Sequence, residues 1–354
     1  MSKKETILLN GQKYDVENIE KIHSETTVWQ KEIYSFLKNW FANSDVITVH
    51  TSGSTGVPKE IHLTKEMMRN SARMTNRFFG LDSSQTALLC LPASYIAGKM
   101  MLVRAVVGGF NLITVEPKAN PFIGIKEKID FAAITPYQLS HSLESLRNIE
   151  LKNIIVGGAP ISGTMEAQIS QISAAVYETY GMTETASHIA LRRINGKCKS
   201  DFFTPLDDVH IRQDKRGCLV INAPYLSPNE FVTNDLVELT GENSFRWLGR
   251  ADSVINSGGV KIFPEQVEKK LEKILSSHFF IASVPDKKLG NRVILILESE
   301  KYSPLEEEKL FEKLKDVLQK YEIPKEIHYL PKFNYSAGNK ILREKVIQQV
   351  VTRI

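Results

Sequence analysis

The sequence is poor in cysteine: Cys90, Cys198 and Cys218 are the whole complement, and no two are spaced as CxxC. An odd trio without that spacing excludes a disulfide framework and a zinc ribbon. It points to a reducing, cytoplasmic compartment. Long apolar runs are missing too. The most apolar stretch, residues 98–115, is broken by Lys99 and Arg104, so it reads as buried strand or helix and not as an integral membrane segment. The opening residues, MSKKETILLNGQKYD, hold no apolar core long enough for a signal peptide. The eight histidines form no HExxH, which argues against a zinc hydrolase. Charge of either sign is close to balance, with 45 Lys and Arg against 41 Asp and Glu, a net charge of +4. That gives no reason to expect nucleic acid or an anionic membrane as a partner. Internal repeats and low-complexity segments are absent from the sequence as well.

What is present fits a globular protein of more than one domain. At about 150 residues per domain, 354 residues predict two to three domains with ample core. Trp29, Ile33, Phe36, Leu37, Trp40 and Phe41 fall on one face of a helix. Continuous apolar runs follow at 46–50, 86–91, 111–116, 131–135 and 153–157, separated by helical segments. Runs of that kind predict strands of a mostly parallel sheet covered on both faces, hence an α/β domain. Residues 65–79 supply one covering helix, with Met68, Ala72, Thr75 and Phe79 on one side and Thr64 as its N-cap. Residues 205–248 alternate more and predict antiparallel strands. Beyond about 252, charged helices at 264–277 and 304–321 alternate with the strands FFIASV, RVILILE and EIHYL, a small α+β unit. The charged faces of those helices read as solvated surface.

The stretch Thr51-Ser52-Gly53-Ser54-Thr55-Gly56-Val57-Pro58-Lys59 directly follows the strand VITVH. Two glycines let backbone amides approach an anion, four hydroxyls and one lysine add donors, and nothing acidic intervenes. These are the parts of a polyphosphate cradle. The loop is not a Walker A motif: five residues after Gly53 stands Pro58, and Glu60 follows Lys59. A kinase or ATPase of the P-loop type is thereby disfavoured. A plain Ser/Gly surface turn is the bland alternative.

TSGSTGVPK resembles the phosphate loop of the acyl-adenylate-forming (AMP-binding) superfamily, four further segments match that family's motifs in order, and AGNKILR near the end resembles its catalytic-lysine loop. The resemblance implies that Gly157, Gly158 and Ala159 of GGAP lie against adenine. It implies that Tyr180 and Gly181 of YGMTET hold the purine, that Thr183 donates to the α-phosphate and that Glu184 binds Mg²⁺. It implies that Asp235 of TND accepts from the ribose hydroxyls and that Arg250 of GRADS contacts ribose and phosphate. Asp252 becomes a hinge, and Gly258 and Gly259 the passage for the pantetheine thiol of CoA. Lys340 of AGNKILR becomes the mobile catalytic lysine. Fold and organisation follow: a large adenylation domain over 1–250, with its N-terminal part shortened relative to the family, and a small mobile domain over 252–354. The implied partners are a small carboxylic acid, ATP and CoA, with the protein a monomer or homodimer.

The acid is less tightly specified. LPASYIAGK resembles the family's acid-pocket motif, with Tyr95 where many members carry His. YGMTETASHIA is similar to the branch that activates o-succinylbenzoate in menaquinone biosynthesis. That acid carries a second carboxylate, so its pocket needs a cation or several donors, for which Tyr95, Lys99, Arg104, Ser187 and His188 are the candidates. The alternatives are a general aryl- or medium-chain acyl-CoA ligase, an adenylation enzyme loading a carrier protein, and a nucleotide-binding protein without turnover. A surface lysine lying along apolar neighbours is the bland account of Lys99.

Overall fold

In the computed structural model, residues 5–24, 27–50, 59–241, 243–335 and 341–352 are described. In chain order a hairpin, β1 (Ile7–Leu9) and β2 (Gln12–Tyr14), precedes helix α1 (Val28–Phe41). Then come β3 (Val46–His50), β4 (Glu60–Thr64), α2 (Lys65–Phe79), β5 (Thr86–Leu89), α3 (Ile96–Gly108) and β6 (Asn111–Thr114). The chain continues through β7 (Ile129–Ile134), α4 (Pro136–Asn148), β8 (Leu151–Val156), α5 (Gly163–Ile169), β9 (Ala175–Gly181), β10 (His188–Arg193) and β11 (Thr204–Pro205). Next are β12 (His210–Gln213), β13 (Cys218–Asn222), β14 (Phe231–Thr240) and β15 (Ser244–Arg250). The last part holds β16 (Ile255–Ser257), β17 (Val260–Ile262), α6 (Pro264–Leu271), β18 (Phe279–Asp286), β19 (Gly290–Glu298), α7 (Pro304–Val317), β20 (Glu326–Leu330) and α8 (Arg343–Val351).

The large sheet runs β11-β10-β9-β8-β7-β5-β6-β1-β2. Its inner strands, β9 through β1, pair in parallel, and β10, β11 and β2 are antiparallel edges. Neighbouring side chains of one strand serve two different cores. Leu89, Ala133 and Ile155 pack with α1, α2 and α3. Leu88, Ala132 and Ile154 pack with α4 and α5 on the opposite face. This double burial is why the strands read as unbroken apolar runs. The fold class is therefore the expected α/β one.

Two sequence expectations need correction. VITVH does not join the parallel sheet: β3 forms a separate antiparallel pair with β4. Only Ile47 and Val49 are buried in it, while Val46, Thr48 and His50 face out. It is a half-buried alternating strand whose Val46 disguises the alternation. The two charged helices are also shorter than expected. α6 ends at Leu271, after which the Ile274 amide bonds back to Leu271 in a tighter turn. α7 ends at Val317, because Leu318 is extended. The second helix of the chain is as expected: the Thr64 hydroxyl accepts the Met67 amide at 3.1 Å, and Met68, Ala72, Thr75 and Phe79 are buried.

β12–β15 form the anticipated antiparallel sheet. β16–β20 form a further small sheet with its own apolar clusters, around Leu295 on one side and Phe280 on the other. Cys90 and Cys218 are buried free thiols and Cys198 is exposed. Among the described residues no helix is long and apolar enough to cross a membrane.

Candidate active site

Ligands of open α/β sheets lie beyond the carboxyl ends of the parallel strands. β8 and β9 are parallel neighbours, so the segments that leave them are adjacent. Gly157, Gly158 and Ala159 follow β8, and Tyr180 and Gly181 close β9. Gly157 fits because a side chain there would meet the Thr179 hydroxyl: an added Cβ would stand 2.3 Å from its oxygen. Gly158 has φ +91°, a left-handed conformation that favours glycine. Thr183 and Glu184 lie in the short 3-10 turn after β9.

Tyr180 is held from two sides. Its hydroxyl donates to Asp235 Oδ2 at 2.7 Å. Its ring meets the edge of Phe245 at 5.0 Å. Burial, together with the Asp235 carboxylate, pushes the phenol well above its usual range, so it stays a donor. Trp247 Nε1 donates to the other oxygen of Asp235 at 3.2 Å. Asp235 lies opposite Arg250 in the β14–β15 register. Arg250 forks onto Asp252 at 3.1 and 2.9 Å. Thus Gly157, Gly158, Ala159, Tyr180, Gly181, Thr183, Glu184, Asp235, Arg250 and Asp252 fall into one linked set. Trp247 escaped the sequence reading, having looked like an alternating strand residue.

Gly258 and Gly259 make the β16–β17 turn, with φ +58° and +82°. The Gly258 amide bonds to the Leu289 carbonyl, inside the small sheet. Lys59 is exposed just before β4. Thr51, Ser52, Gly53, Ser54, Thr55, Gly56 and Lys340 lie outside the described residues.

The acid-pocket candidates separate into two groups. Tyr95 is the N-cap residue of α3 and half exposed, and Lys99 Nζ donates to the Ser94 carbonyl. Lys99 and Ser94 border a groove of about 620 Å³ that is also lined by Glu32, Phe36 and Thr48. Arg104, Ser187 and His188 meet elsewhere, deep in the molecule. Arg104 Nη2 donates to Ser187 Oγ at 2.6 Å. His188 lies 3.2 Å from Thr75 Oγ1 through Nε2 and 3.3 Å from Ser187 Oγ through Nδ1. Arg104 is only 2% exposed, and among the described residues its Nη1 reaches only the Met101 sulfur and its Nε has no partner. Among the described residues no carboxylate pairs with it. Burial lowers its pKa to about 9, so it remains a cation at neutral pH. Burial, and then the Arg104 charge, holds His188 well below the usual imidazole range. Ser187 and His188 in turn lie against Gly181, where an added Cβ would stand 2.5 Å from the Ser187 carbonyl oxygen. The buried cation is therefore one residue removed from the Tyr180-Gly181 end of β9.

Among the described residues no three carboxylate, histidine or cysteine side chains gather as a metal site. The donor set still suits a metal brought in with phosphates. Glu184 is an exposed carboxylate with no ion pair among the described residues, and Mg²⁺ takes one or two protein carboxylates and fills its shell with phosphate oxygens and water.

A mostly parallel sheet with glycine-containing turns at its strand ends, followed by a small mixed sheet, is the build of an acyl-adenylate-forming enzyme. The chain belongs to the family of AMP-binding enzymes: residues 3–221 match its model. The 2-succinylbenzoate–CoA ligase of Bacillus cytotoxicus is 26% identical over 380 residues, covering 95% of this chain and 75% of that protein. A solved acyl-CoA synthetase (AMP-forming)/AMP-acid ligase II-like protein from Dyadobacter fermentans is 34% identical, with a TM-score of 0.60 over 93% of this chain and 97% of its own. The o-succinylbenzoate CoA synthetase of Bacillus subtilis, solved with its acyl-adenylate intermediate, is 23% identical. Its TM-score is 0.74 over 84% of this chain and 68% of its own.

Proposed function

We propose that this chain is an AMP-forming acid–CoA ligase whose acid is o-succinylbenzoate. The observation that carries the substrate is Arg104. A sealed guanidinium without a carboxylate is costly unless an anion arrives to pair with it. An acid with a second carboxylate supplies that anion, whereas a plain aryl or aliphatic acid leaves the cation unpaired. Ser187 adds a hydroxyl donor beside it.

A carboxylate is a poor acyl donor because its leaving group would be oxide. Its oxygen attacks the α-phosphorus of ATP, the bond to the bridging oxygen breaks, and pyrophosphate leaves. The CoA thiolate then attacks the acyl carbon and AMP leaves. Both reactants of the first step are anions, so the site must neutralise charge and align the attack. The loop Thr51–Gly56 with Lys59 takes the phosphates, Thr183 donates to the α-phosphate, and Lys340 bridges carboxylate and phosphate. Mg²⁺, when bound, supplies further charge neutralisation, and Glu184 is the residue that would hold it. Tyr180 offers the purine its face, and Asp235 keeps lone pairs for the ribose hydroxyls. The chain divides into an adenylation domain over 1–250 and a mobile domain over 252–354, with Asp252 as hinge and Gly258–Gly259 lining the thiol passage. The buried free thiols Cys90 and Cys218 support a cytoplasmic location.

ATP–pyrophosphate exchange across a panel of acids tests this reading. Exchange that depends on o-succinylbenzoate is expected. Formation of ADP, or exchange with monocarboxylic acids alone, would overturn it.

A further inference from the structure

The strand that presents Tyr180 also carries Glu178, two residues earlier and on the same face. Glu178 is buried, and its Oε1 accepts the Ile161 amide at 3.0 Å. Ile161 is the first amide donor after the turn Gly157–Pro160, because proline has none. The other oxygen of Glu178 takes a fork from Arg192, with Nε at 2.9 Å and Nη2 at 2.6 Å. Arg192, on β10, is 4% exposed and also reaches Glu166 Oε1 on α5 at 2.7 Å. Lys199 Nζ closes the cluster on the second oxygen of Glu166 at 3.0 Å. The same guanidinium lies 5.7 Å from the ring centre of Phe203. Phe203 stacks on Phe245, the ring against which Tyr180 rests.

We propose that Arg192 is the positioning residue of the nucleotide site, setting the purine turn 157–161 through Glu178 and backing the aromatic wall behind Tyr180 through Phe203. The inference rests on the adenylation reading for the role of that turn. One planar cation reaches both walls of the proposed site. Burial lowers the Arg192 pKa, and the two carboxylates more than reverse this, so the guanidinium stays charged. A buried ion cluster is a poor device for stability, since desolvation offsets most of the Coulombic gain. What it provides is geometry. A guanidinium fork fixes the plane and direction of each carboxylate, which a point-charge lysine does not.

The test uses the full chain and three variants: Arg192→Lys, Glu178→Gln and Glu166→Gln. Each is assayed for KM of ATP, KM of the acid and kcat in pyrophosphate exchange, for the Kd of ATP alone, and for thermal midpoint. Arg192→Lys keeps the charge and loses the fork, so KM and Kd for ATP rise about tenfold, the worth of a charge-assisted hydrogen bond. KM for the acid and kcat stay within about threefold, the signature of lost ground-state binding of one substrate. Glu178→Gln keeps an oxygen for the Ile161 amide and shows a smaller rise of the same kind. Glu166→Gln lowers the thermal midpoint while the Kd for ATP stays within about twofold, because its arm leads away from the turn. Midpoints that fall in all three variants with unchanged KM and Kd for ATP would reduce Arg192 to packing and overturn the proposal. If Arg192→Lys does not fold, Glu178→Gln carries the same measurement with the same two outcomes. A wild-type chain that exchanges pyrophosphate with no acid sinks the adenylation reading instead, and the Kd for ATP alone still decides the role of Arg192.

Discussion

Arg104 is the residue at which stability and function pull in opposite directions. Nothing in the described protein neutralises it, so replacing it with a neutral side chain of similar length removes a desolvation cost. Arg104→Met is expected to keep or raise the thermal midpoint. It should lower kcat/KM for o-succinylbenzoate by about 10- to 100-fold, the range for hydrogen bonds to a charged group. KM for ATP should not move. A variant as active as the wild type on that acid would remove Arg104 from the acid site. His188 makes a pH prediction. Its folded pKa is depressed, so the unfolded chain takes up a proton that the folded chain refuses. Stability is present above the unfolded value near pH 6.5 and is lost as pH falls below it, by up to about 1.4 kcal/mol per unit. Thermal midpoints measured from pH 7.5 to 5 should fall, and His188→Gln should flatten the slope; equal slopes would mean that His188 is protonated in the fold. The sequence names the chemistry of these residues but not their meeting. Arg104 and Ser187 are 83 positions apart, and no local pattern brings them to 2.6 Å. Lys99 looked equally good as the buried cation, and only packing separates the two: Lys99 and Arg104 are five residues apart on a helix and so face different ways.

Elements were legible wherever one local cause dominated. The Thr64 cap and the apolar face of α2 are short-range signals, and both are present in the fold. VITVH misled because four β-branched residues, two on each face of a half-buried strand, mimic a run buried on both sides. The short strands β1, β2, β16 and β17 carry three residues each, too few for any periodicity to register. The start of α3 rests on a feature that composition alone does not reveal. A Cβ at Gly98 would stand 2.2 Å from the Pro92 carbonyl oxygen and 3.0 Å from the Ala93 amide nitrogen. Both are backbone atoms, so no side chain can swing aside. Gly98→Ala should therefore cost about 1–3 kcal/mol, as overpacking does, and move the Tyr95–Lys99 segment. The expected result is a lower thermal midpoint together with a changed KM for the acid. A midpoint equal to that of the wild type would show that the turn before α3 relaxes freely.

At the scale of the molecule, the change of texture near residue 252 anticipated a separate small sheet, and the β16–β20 sheet bears this out. What the texture could not show is how that sheet is tied to the rest. Glu272, at the end of α6, accepts the Gly163 amide at 3.0 Å, beside the turn Gly157–Pro160, and burial raises its pKa. Gln266 donates to the carbonyls of Trp247 and Leu248 at 3.3 and 3.0 Å. The proposed reaction needs two settings of one site, since Lys340 serves the first half and the Gly258–Gly259 face the second. Any rotation between them must break the α6 contacts, and the proposed hinge, Asp252, lies inside the tight turn closed by the Ser253 amide on the Arg250 carbonyl at 3.1 Å. Lys340→Ala is expected to slow adenylate formation by about two to three decades and to spare thioester formation from supplied acyl-AMP. Equal losses in both halves would contradict that role. For the hinge, a substitution must separate backbone freedom from the Arg250–Asp252 ion pair. Asp252→Ala removes the pair and leaves the backbone free, so both half-reactions should stay within about threefold, as an exposed pair contributes little. Asp252→Pro removes the same pair and also fixes φ near −65°. It should leave adenylate formation close to that of the alanine variant and slow thioester formation at least tenfold, the loss expected when a required conformational step becomes limiting. Single-turnover measurement of each half-reaction reads the difference between the two variants directly. If proline and alanine behave alike in both halves, the chain does not turn at Asp252, and the two settings of the site must be reached by another bond.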